Sequence, residues 1–330
     1  MSKRKSIIVK LDPVKPSVAY DTYWRFAYER QEVFFRRLGT SDGPFTTDRV
    51  LQEYKFTNVY RASDRVSQYL IRNVIYSNPQ CSIEDIAFRI LLFKLFNKIE
   101  TWRLLENRFG YLCIENFDIS SYREFLDEEM NNGRVLYSNA YMMASGCREF
   151  EVTRKHHAHL LLLERMLKDN IGEKLASCKK MHEAYSLLLT YPLIGQFLAY
   201  QYVTDLNYSG LVDFSESEFT MPGPGAKDGI RKCFLSLGGL TEIDIIKLMA
   251  DRQDYEFQRL GLNFKKLGKR RLQYIDIQNI FCEVDKYCRV AHPELSGVSG
   301  RIRIKQKFKA NKEPINYTFP PKWNVTLGGT

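Results

Sequence analysis

Apolar residues return every three or four positions along most of the chain. Because this spacing places them on one helix face, it predicts helices at 23–38, 60–76, 84–106, 155–168, 174–189, 196–206, 226–235, 242–260 and 276–290. Residues 301–308, RIRIKQKF, alternate with a period of two instead, which is typical of a strand or an extended arm. We therefore expect an all-α helical bundle with a short basic C-terminal strand or extended arm.

The chain has no stretch that is typical of a long linker. Its 330 residues are enough to bury a large core, and 44% of them are hydrophobic. We expect one helical domain at 1–300, with a helical hairpin near 189–197, followed by a basic extension at 301–330.

The formal net charge of +10 is concentrated in two short segments. Residues 265–271 contain five Lys and Arg residues and residues 301–312 contain six, with no acidic residue in either segment. The rest of the chain has 38 basic and 39 acidic residues. Two basic segments on a neutral body favour a polyanionic partner such as nucleic acid, although solvated surface segments are the simpler alternative.

Several kinds of site are excluded by missing motifs. The sequence has no GxxxxGK[ST], no GxGxxG that opens a helix, no HExxH and no GxSxG, and its seven cysteines form no CxxC pair. His156, His157 and His159 cluster in one predicted helix, but no two of them are four residues apart. We expect no metal and no cofactor.

The hydrophobic segments are too short for a membrane span or a signal peptide. The longest candidate span, 86–96, is interrupted by Arg89 and Lys94, and the basic N-terminus, MSKRKSIIVKL, has only a brief apolar stretch. We expect a cytoplasmic protein without a membrane partner.

The segment YPLIG at 191–195 connects two predicted helices by a tight turn. Pro192 and Gly195 favour the turn, and the amides at the start of the next helix can bind a phosphate. The turn resembles the hairpin of helix-hairpin-helix DNA-binding proteins, in which an L-P-x-I/V-G turn binds the DNA backbone, although any two packed helices can share such a turn. Candidate backbone contacts here are Tyr191, Leu193, Gly195 and Gln196.

A second loop, PGPG at 222–225, leads into a predicted helix with a lysine in its first turn. The exposed amides of such a loop and the nearby cation can bind another phosphate. The candidate backbone contacts are Gly223, Gly225 and Lys227.

Three acidic residues lie between the hairpin and this loop. Asp213, Glu216 and Glu218 follow Gly195 by 18, 21 and 23 residues. Helix-hairpin-helix DNA glycosylases have an essential aspartate about twenty residues beyond the hairpin glycine. The three acids are therefore candidate catalytic residues that stabilise charge on the sugar or activate water, with a solvated acidic loop as the alternative.

Two segments of mixed polar residues supply candidates for a base pocket. In FTNVYRASDR (56–65), Arg61 and Arg65 share a helix face, and in DIQNIFCEVDKYCR (276–289) polar residues form one stripe. A buried structural network is the alternative. The candidate pocket residues are Asn58, Arg61, Asp64, Asp276, Asn279, Glu283, Lys286 and Tyr287, with Arg65 as a backbone contact.

The whole chain resembles a known helical family of DNA base hypermodification proteins. The resemblance is carried by the two segments above and by YWRFAYERQEVFFRRLG (23–39), NAYMM (139–143), YPLIGQFLAYQYVTDLNYS (191–209), FTMPGPGAKDGI (219–230) and FPPKW (319–323). The family is that of the helical domain of 5-hydroxymethyl-deoxyuridine DNA kinases. Its members are also called alpha-glutamyl/putrescinyl-thymine pyrophosphorylases or amino acid:DNA transferases, and they are thought to be related to helix-hairpin-helix DNA glycosylases. The resemblance therefore implies a helix-hairpin-helix DNA glycosylase-like helical bundle. The resemblance implies double-stranded DNA as the partner, in particular phage DNA with modified pyrimidines.

The hairpin and the resemblance together lead us to expect a DNA glycosylase. Such an enzyme flips a hypermodified pyrimidine out of the duplex and excises it, leaving an abasic site, which is useful in defence against phages. Bifunctional glycosylases have a lysine where this chain has Phe197, so we expect a monofunctional hydrolase.

Two alternatives stay open. The first is an amine or amino acid:DNA transferase that hypermodifies phosphorylated 5-hydroxymethyluracil in phage DNA, with Lys227, Arg61, Arg65 and Lys286 near the leaving phosphate. The second is a DNA-binding protein without catalytic activity.

Overall fold

The computed structural model describes residues 11–40, 43–78, 80–310 and 315–327, and these residues form a helical fold. Their α-helices are α1 (Ala19–Gly39), α2 (Arg49–Glu53), α3 (Arg65–Tyr69), α4 (Ile83–Phe96), α5 (Ile99–Phe109), α6 (Ile119–Asn131), α7 (Lys155–Lys168), α8 (Ile171–Ser177), α9 (Met181–Leu189), α10 (Gln196–Leu206), α11 (Pro224–Cys233), α12 (Glu242–Arg259) and α13 (Tyr274–Ala291). Two short antiparallel strands, β1 (Lys15–Pro16) and β2 (Phe234–Ser236), form the sheet of the described part. The predicted all-α helical bundle is confirmed.

Three of the predicted helices are divided. The helix predicted at 84–106 is interrupted after α4 by Asn97, which takes a left-handed φ of 48°. The helix predicted at 174–189 forms α8 and α9, and that predicted at 60–76 forms a 3₁₀ turn, α3 and a π-helical turn (Leu70–Ile75). The apolar spacing did not reveal α2 or α6.

Close packing of α11 on α13 fixes the start of α11. A Cβ atom at Gly229 would overlap the carbonyl oxygen of Phe281, so the two helix backbones lie directly against each other. One turn earlier, a Cβ atom at Gly225 would lie 3.2 Å from Cys282 Sγ. The first half of α11 therefore packs directly against α13, without side chains between the two backbones at these positions.

Residues 301–310 form an extended arm that follows α2. The Lys55 N–H group donates to the Gln306 carbonyl oxygen (3.0 Å), and the Phe308 N–H group donates to that of Glu53 (2.9 Å). A single β-bridge joins Tyr54 to Lys307, so the arm alternative describes this segment better than the strand.

Parts of several predictions lie outside the described residues. The expectation about a signal peptide depends on residues 1–10, the basic segment includes Lys312, and the predicted C-terminal extension includes 311–314 and 328–330. Within the described ranges, no helix combines the length and apolar character that crossing a membrane requires.

Candidate functional site

Hydrogen bonds from α13 hold the segment 56–65 in place. The Thr57 N–H group donates to Glu283 Oε2 (3.0 Å), and Asn279 Nδ2 donates to the carbonyl oxygen of Asn58 (2.9 Å). In both contacts a side chain of α13 binds a backbone group of the segment. Glu283 and Asn279 thus position the segment.

Arg61 extends from this framework into the protein interior. Its backbone N–H group donates to Asp276 Oδ1 (2.9 Å), and burial raises the pKa of Asp276 to about 6. Its guanidinium Nη1 donates to Asp205 Oδ1 (2.5 Å) and to the Tyr208 hydroxyl (2.9 Å), while Nε is buried without a hydrogen-bond partner.

Lys94 of α4 binds the same aspartate from the other side. Its Nζ lies 2.7 Å from Asp205 Oδ2 and donates to Asn97 Oδ1 at 2.9 Å. The side chains of Arg61, Lys94 and Asp205 are 4%, 2% and 2% exposed, and we call these three residues the buried charge cluster. Burial lowers the pKa of Lys94; for Asp205, the two cations outweigh burial and hold the pKa below its usual value.

Tyrosine rings enclose the buried charge cluster. The ring centroid of Tyr141 lies 5.7 Å from Arg61 Cζ and 4.8 Å from Lys94 Nζ, and that of Tyr208 lies 5.8 Å from Arg61 Cζ. Tyr208 is almost fully buried, whereas Tyr141 is only partly buried. Tyr141 is therefore the part of this enclosure that lies nearest the solvent.

Sequence reasoning missed Lys94, Asp205 and Tyr141 as site residues. A usable signal was present for two of them, because Lys94 in ILLFKLF and Asp205 in YQYVTDL occupy helical stretches that are otherwise mostly apolar. A charged residue that is fully buried needs a partner, so such positions predict an interior ion pair.

Asp64 closes a tight turn in the same segment. Its Oδ1 accepts the Asn58 N–H group (2.7 Å), and Asn58 Nδ2 donates to the Ser63 carbonyl oxygen (2.7 Å). Burial raises the pKa of Asp64 to about 7, with Arg30 of α1 opposing this shift. Arg30 itself has a buried Nη1 atom without a partner.

The other predicted pocket residues mostly serve as contacts between elements. Lys286 Nζ lies 2.7 Å from Glu283 Oε2 and donates to the Lys55 carbonyl oxygen (3.0 Å). The Tyr287 hydroxyl donates to Asp48 Oδ2 (2.7 Å), and Asp48 caps α2. Arg65 begins α3 and is partly exposed.

The predicted hairpin is formed by α9, α10 and the turn between them. Leu193 has the left-handed φ of 66°, whereas Gly195 has φ −82° and caps α10. Gly195 and Gln196 are exposed, Leu193 is partly buried and Tyr191 is buried. The start of α10 therefore lies at the surface, while Tyr191 packs inside.

The PGPG loop lies beside this hairpin. A Cβ atom at Gly223 would lie 2.5 Å from the Phe197 ring, so the N-termini of α10 and α11 adjoin. Lys227 is exposed in the first turns of α11. The Tyr141 ring stacks on Phe197 with centroids 5.8 Å apart, which places the enclosure of the buried charge cluster next to the hairpin.

The three candidate acids have different surroundings. The Asp213 side chain is 85% exposed, with Oδ1 3.5 Å from Lys322 Nζ, and Glu218 is also exposed. Glu216 is buried and pairs with Arg270, whose guanidinium lies 3.6 Å from the ring centroid of Trp323. Of the three, Glu216 alone lies in the interior.

The basic segment 265–271 is largely neutralised by acidic side chains. Lys265 pairs with Glu32, Arg270 pairs with Glu216, and Lys266 and Arg271 both pair with Asp254. The arm differs, because no ion pair is found in the described part of the chain for its exposed residues Arg303, Lys305 and Lys309.

One group of side chains in the described ranges has ligand atoms close enough for a metal ion. Oxygen and nitrogen atoms of Asp127, His156 and His157 lie within 4.8 Å of one another. Arg154 Nη1 also lies 2.8 Å from Asp127 Oδ1, and a guanidinium at this position opposes a cation. Burial lowers the pKa of His156 to about 4, so this imidazole is neutral at pH 7.

Comparison with known proteins assigns the chain to a family. The family described as "5-hmdU DNA kinase, helical domain" matches residues 17–297. The chain belongs to this family. A 5-hmdU DNA kinase from Bacillus phage SP10 is 28% identical over 338 aligned positions, which cover 96% of this chain and 52% of the kinase. The chain thus spans about half the length of this relative, and no solved structure matches it.

These comparisons correct the functional prediction. The resemblance to the hypermodification family is confirmed, but the expected DNA glycosylase is wrong, because the family and the phage relative are named for a kinase, which is a transferase. The expected monofunctional hydrolase and its role in excising bases are therefore also wrong. A relation to helix-hairpin-helix glycosylases is not shown by these matches.

Proposed function

We propose that the chain modifies 5-hydroxymethyl-deoxyuridine (5-hmdU) in DNA as an amine:DNA transferase. Its substrate is the phosphorylated hydroxymethyl group, and an amine or amino acid replaces the phosphate. The observation that carries the proposal is the match of residues 17–297 to the helical domain of 5-hmdU DNA kinases. A kinase for this nucleoside produces the phosphate ester that the proposed transferase consumes, and these 330 residues contain no GxxxxGK[ST] motif of their own.

The proposed reaction is a substitution at the methylene carbon on C5 of the base. The amine nitrogen attacks this carbon, the C–O bond to the phosphate breaks, and the phosphate leaves with the bonding electrons. The ammonium product then releases its proton to solvent. Cations that bind the departing phosphate speed such a step, because they stabilise the charge that develops on the leaving oxygen.

The adjoining N-termini of α10 and α11 support binding to the DNA backbone. Helix N-termini present free amides and a positive dipole end, and here two of them lie together with the exposed cation Lys227. A base in duplex DNA must leave the stack before an interior site can reach it. In this proposal, a flipped base enters the protein past the partly buried ring of Tyr141, which lies beside the hairpin.

A direct assay tests the proposal on duplexes with one thymine, one 5-hmdU or one phosphorylated 5-hmdU. The full chain is incubated with each duplex and with putrescine or glutamate, and the nucleosides are then analysed by mass spectrometry. We expect a shifted nucleoside mass only when the phosphorylated duplex and an amine are both present. Unchanged nucleosides with every donor, despite duplex binding, would overturn the transferase.

A second candidate is a non-catalytic helical part that presents 5-hmdU to a kinase. The coverage of only 52% of the phage kinase favours it, because the other half of that relative has no counterpart among these residues. Duplex binding that prefers 5-hmdU over thymine, without any modification in the assay above, would support this candidate.

A further inference from the structure

We propose that the buried charge cluster is a phosphate-binding site and that Tyr141 covers it. The inference rests on the proposed function, because the ligand is the phosphate on a flipped 5-hydroxymethyluracil. It assigns this role to Arg61 and Lys94 together.

The charge balance of the cluster is the first argument. Arg61 and Lys94 share the single carboxylate of Asp205, so two buried cations face one anion. A buried charge without a counter-ion is strongly unfavourable, and a bound anion supplies the missing negative charge. Arg61 Nε is buried without a partner and offers a further donor, and guanidinium groups bind phosphate well.

The geometry of Tyr141 is the second argument. Its φ of 56° is left-handed, which is unusual for a tyrosine and marks local backbone strain. It belongs to the irregular connection between α6 and α7, and the next residue, Met142, is 71% exposed. A rotation of this ring away from the cations opens the buried charge cluster towards the solvent.

The cover also lies where bound DNA is expected. Tyr141 stacks on Phe197 of α10, and Gly146 of the same connection packs against Leu193 in the hairpin turn. A duplex held by the hairpin is therefore adjacent to Tyr141. A flipped base that displaces the ring brings its phosphate towards Arg61 and Lys94.

Two of the other predicted phosphate ligands, Lys286 and Lys227, are less suited to an interior site. Lys286 is bound to Glu283 and to the Lys55 carbonyl oxygen, and Lys227 is exposed on the outer surface of α11. Lys227 fits the DNA backbone, whereas Arg61 and Lys94 fit a phosphate that is carried into the protein.

Duplex affinity tests the site. Dissociation constants of the full chain are measured by fluorescence anisotropy for duplexes with thymine, 5-hmdU or phosphorylated 5-hmdU. We expect the phosphorylated duplex to bind at least about 10-fold more tightly than the 5-hmdU duplex. Lys94→Met removes one cation and leaves a neutral Arg61–Asp205 pair, so it lowers the affinity for the phosphorylated duplex to that for the 5-hmdU duplex. The matched control is Lys168→Met, which removes an exposed lysine of α7 and retains the preference.

Acetylation of Lys94, followed by mass spectrometry, tests the site and its cover independently of whether Lys94→Met folds. In the wild-type protein, the phosphorylated duplex slows acetylation of Lys94 several-fold and the 5-hmdU duplex does not. In the free protein, Tyr141→Ala speeds acetylation of Lys94 relative to Tyr141→Phe. Equal protection by both duplexes overturns the phosphate site, and equal rates in the two Tyr141 variants overturn the cover.

The outcomes separate this inference from the proposed function. Amine transfer without any phosphate preference overturns the phosphate site and leaves the transferase standing. A phosphate preference without amine transfer overturns the transferase and leaves the site standing. Absence of binding to every duplex overturns both.

Discussion

Asp205 is the single carboxylate that balances two buried cations. Its replacement therefore tests how much this charge balance contributes to stability. Asp205→Asn keeps the size of the side chain but leaves Arg61 and Lys94 without a counter-ion. We expect it to lower the free energy of unfolding by about 3–5 kcal/mol, measured by urea denaturation, because breaking a buried pair strands the remaining charges. Lys94→Met is the matched control, since a neutral pair survives and a loss below about 2 kcal/mol is expected. Similar losses in both variants would contradict the charge argument.

Asp64 makes a contribution to stability that depends on pH. Its pKa is raised by burial from 3.8 to about 7, so between these values the folded protein retains a proton that the unfolded chain has lost. The contribution of Asp64 to the free energy of unfolding is therefore greatest below about pH 4 and falls as the pH rises to about 7. Asp64→Asn carries no charge and retains an oxygen for the Asn58 N–H group.

We expect Asp64→Asn to gain stability relative to the wild type as the pH rises, by about 1 kcal/mol or more between pH 5 and pH 8. Urea denaturation of both proteins at the two pH values measures the difference. A difference that does not change with pH would show that Asp64 is already ionised in the folded protein at pH 5.

At the scale of elements, the contact between α11 and α13 depends on Gly229. A methyl group at this position overlaps the Phe281 carbonyl oxygen, and a backbone atom cannot move aside as a side chain can. We expect Gly229→Ala to lower the free energy of unfolding by about 3 kcal/mol or more, because it separates the two helices. Thermal denaturation followed by circular dichroism provides the measurement.

Gly195→Ala is the control for this substitution. A Cβ atom at Gly195 meets nothing within 4 Å, and the φ of −82° suits alanine, so stability should change little. Under the proposed function, the same methyl group lies where the DNA backbone approaches the start of α10, and it weakens duplex binding. A large loss of stability in Gly195→Ala, or none in Gly229→Ala, would contradict this account of the packing.

Helix content was predictable from apolar spacing, whereas helix interruptions were not. The apolar spacing at 60–76 is that of a helix, yet this segment starts with a 3₁₀ turn. The backbone N–H group of Arg61 in that turn donates to Asp276, which is 215 residues away in sequence. Asn97 ends α4 through a left-handed backbone that apolar periodicity does not record. These interruptions depend on partners distant in sequence and on the conformation of single residues.

At the scale of the whole molecule, the candidate site combines segments that are far apart in the chain. Family resemblance pointed to Arg61 and its segment, and the structure joins to it Lys94, Tyr141 and Asp205 from three other elements. Sequence reasoning selected the residues around Arg61 as a candidate base pocket, because they are the polar residues of two segments that carry the family resemblance. It did not identify the partners, because a charged residue in an apolar helix, such as Lys94 or Asp205, predicts a buried ion pair but not which residue completes it. Only the tertiary packing brings these residues and Tyr141 together.

The distribution of charge over the molecule leads to the last prediction. The arm exposes Arg303, Lys305 and Lys309, whereas Lys265, Lys266 and Arg271 are paired with acids, so two regions of similar composition differ in available charge. Each cation that neutralises a DNA phosphate adds about 0.9 to the slope of log affinity against log salt. If the arm contacts DNA, replacing its three cations by alanine reduces this slope by about 2–3, as measured by anisotropy at several salt concentrations.

Replacing Lys265, Lys266 and Arg271 by alanine changes the net charge by the same amount and is the matched control. These side chains are engaged by Glu32 and Asp254, so we expect a reduction of the salt slope below about 1 and a small loss of stability instead. Equal reductions in the two triple variants would mean that total charge, rather than the position of the arm, governs binding. If the arm variant reduces the salt slope less than the control variant does, the DNA contact lies on the 265–271 surface. Lys265, Lys266 and Arg271 would then exchange their acidic partners for DNA phosphates on binding.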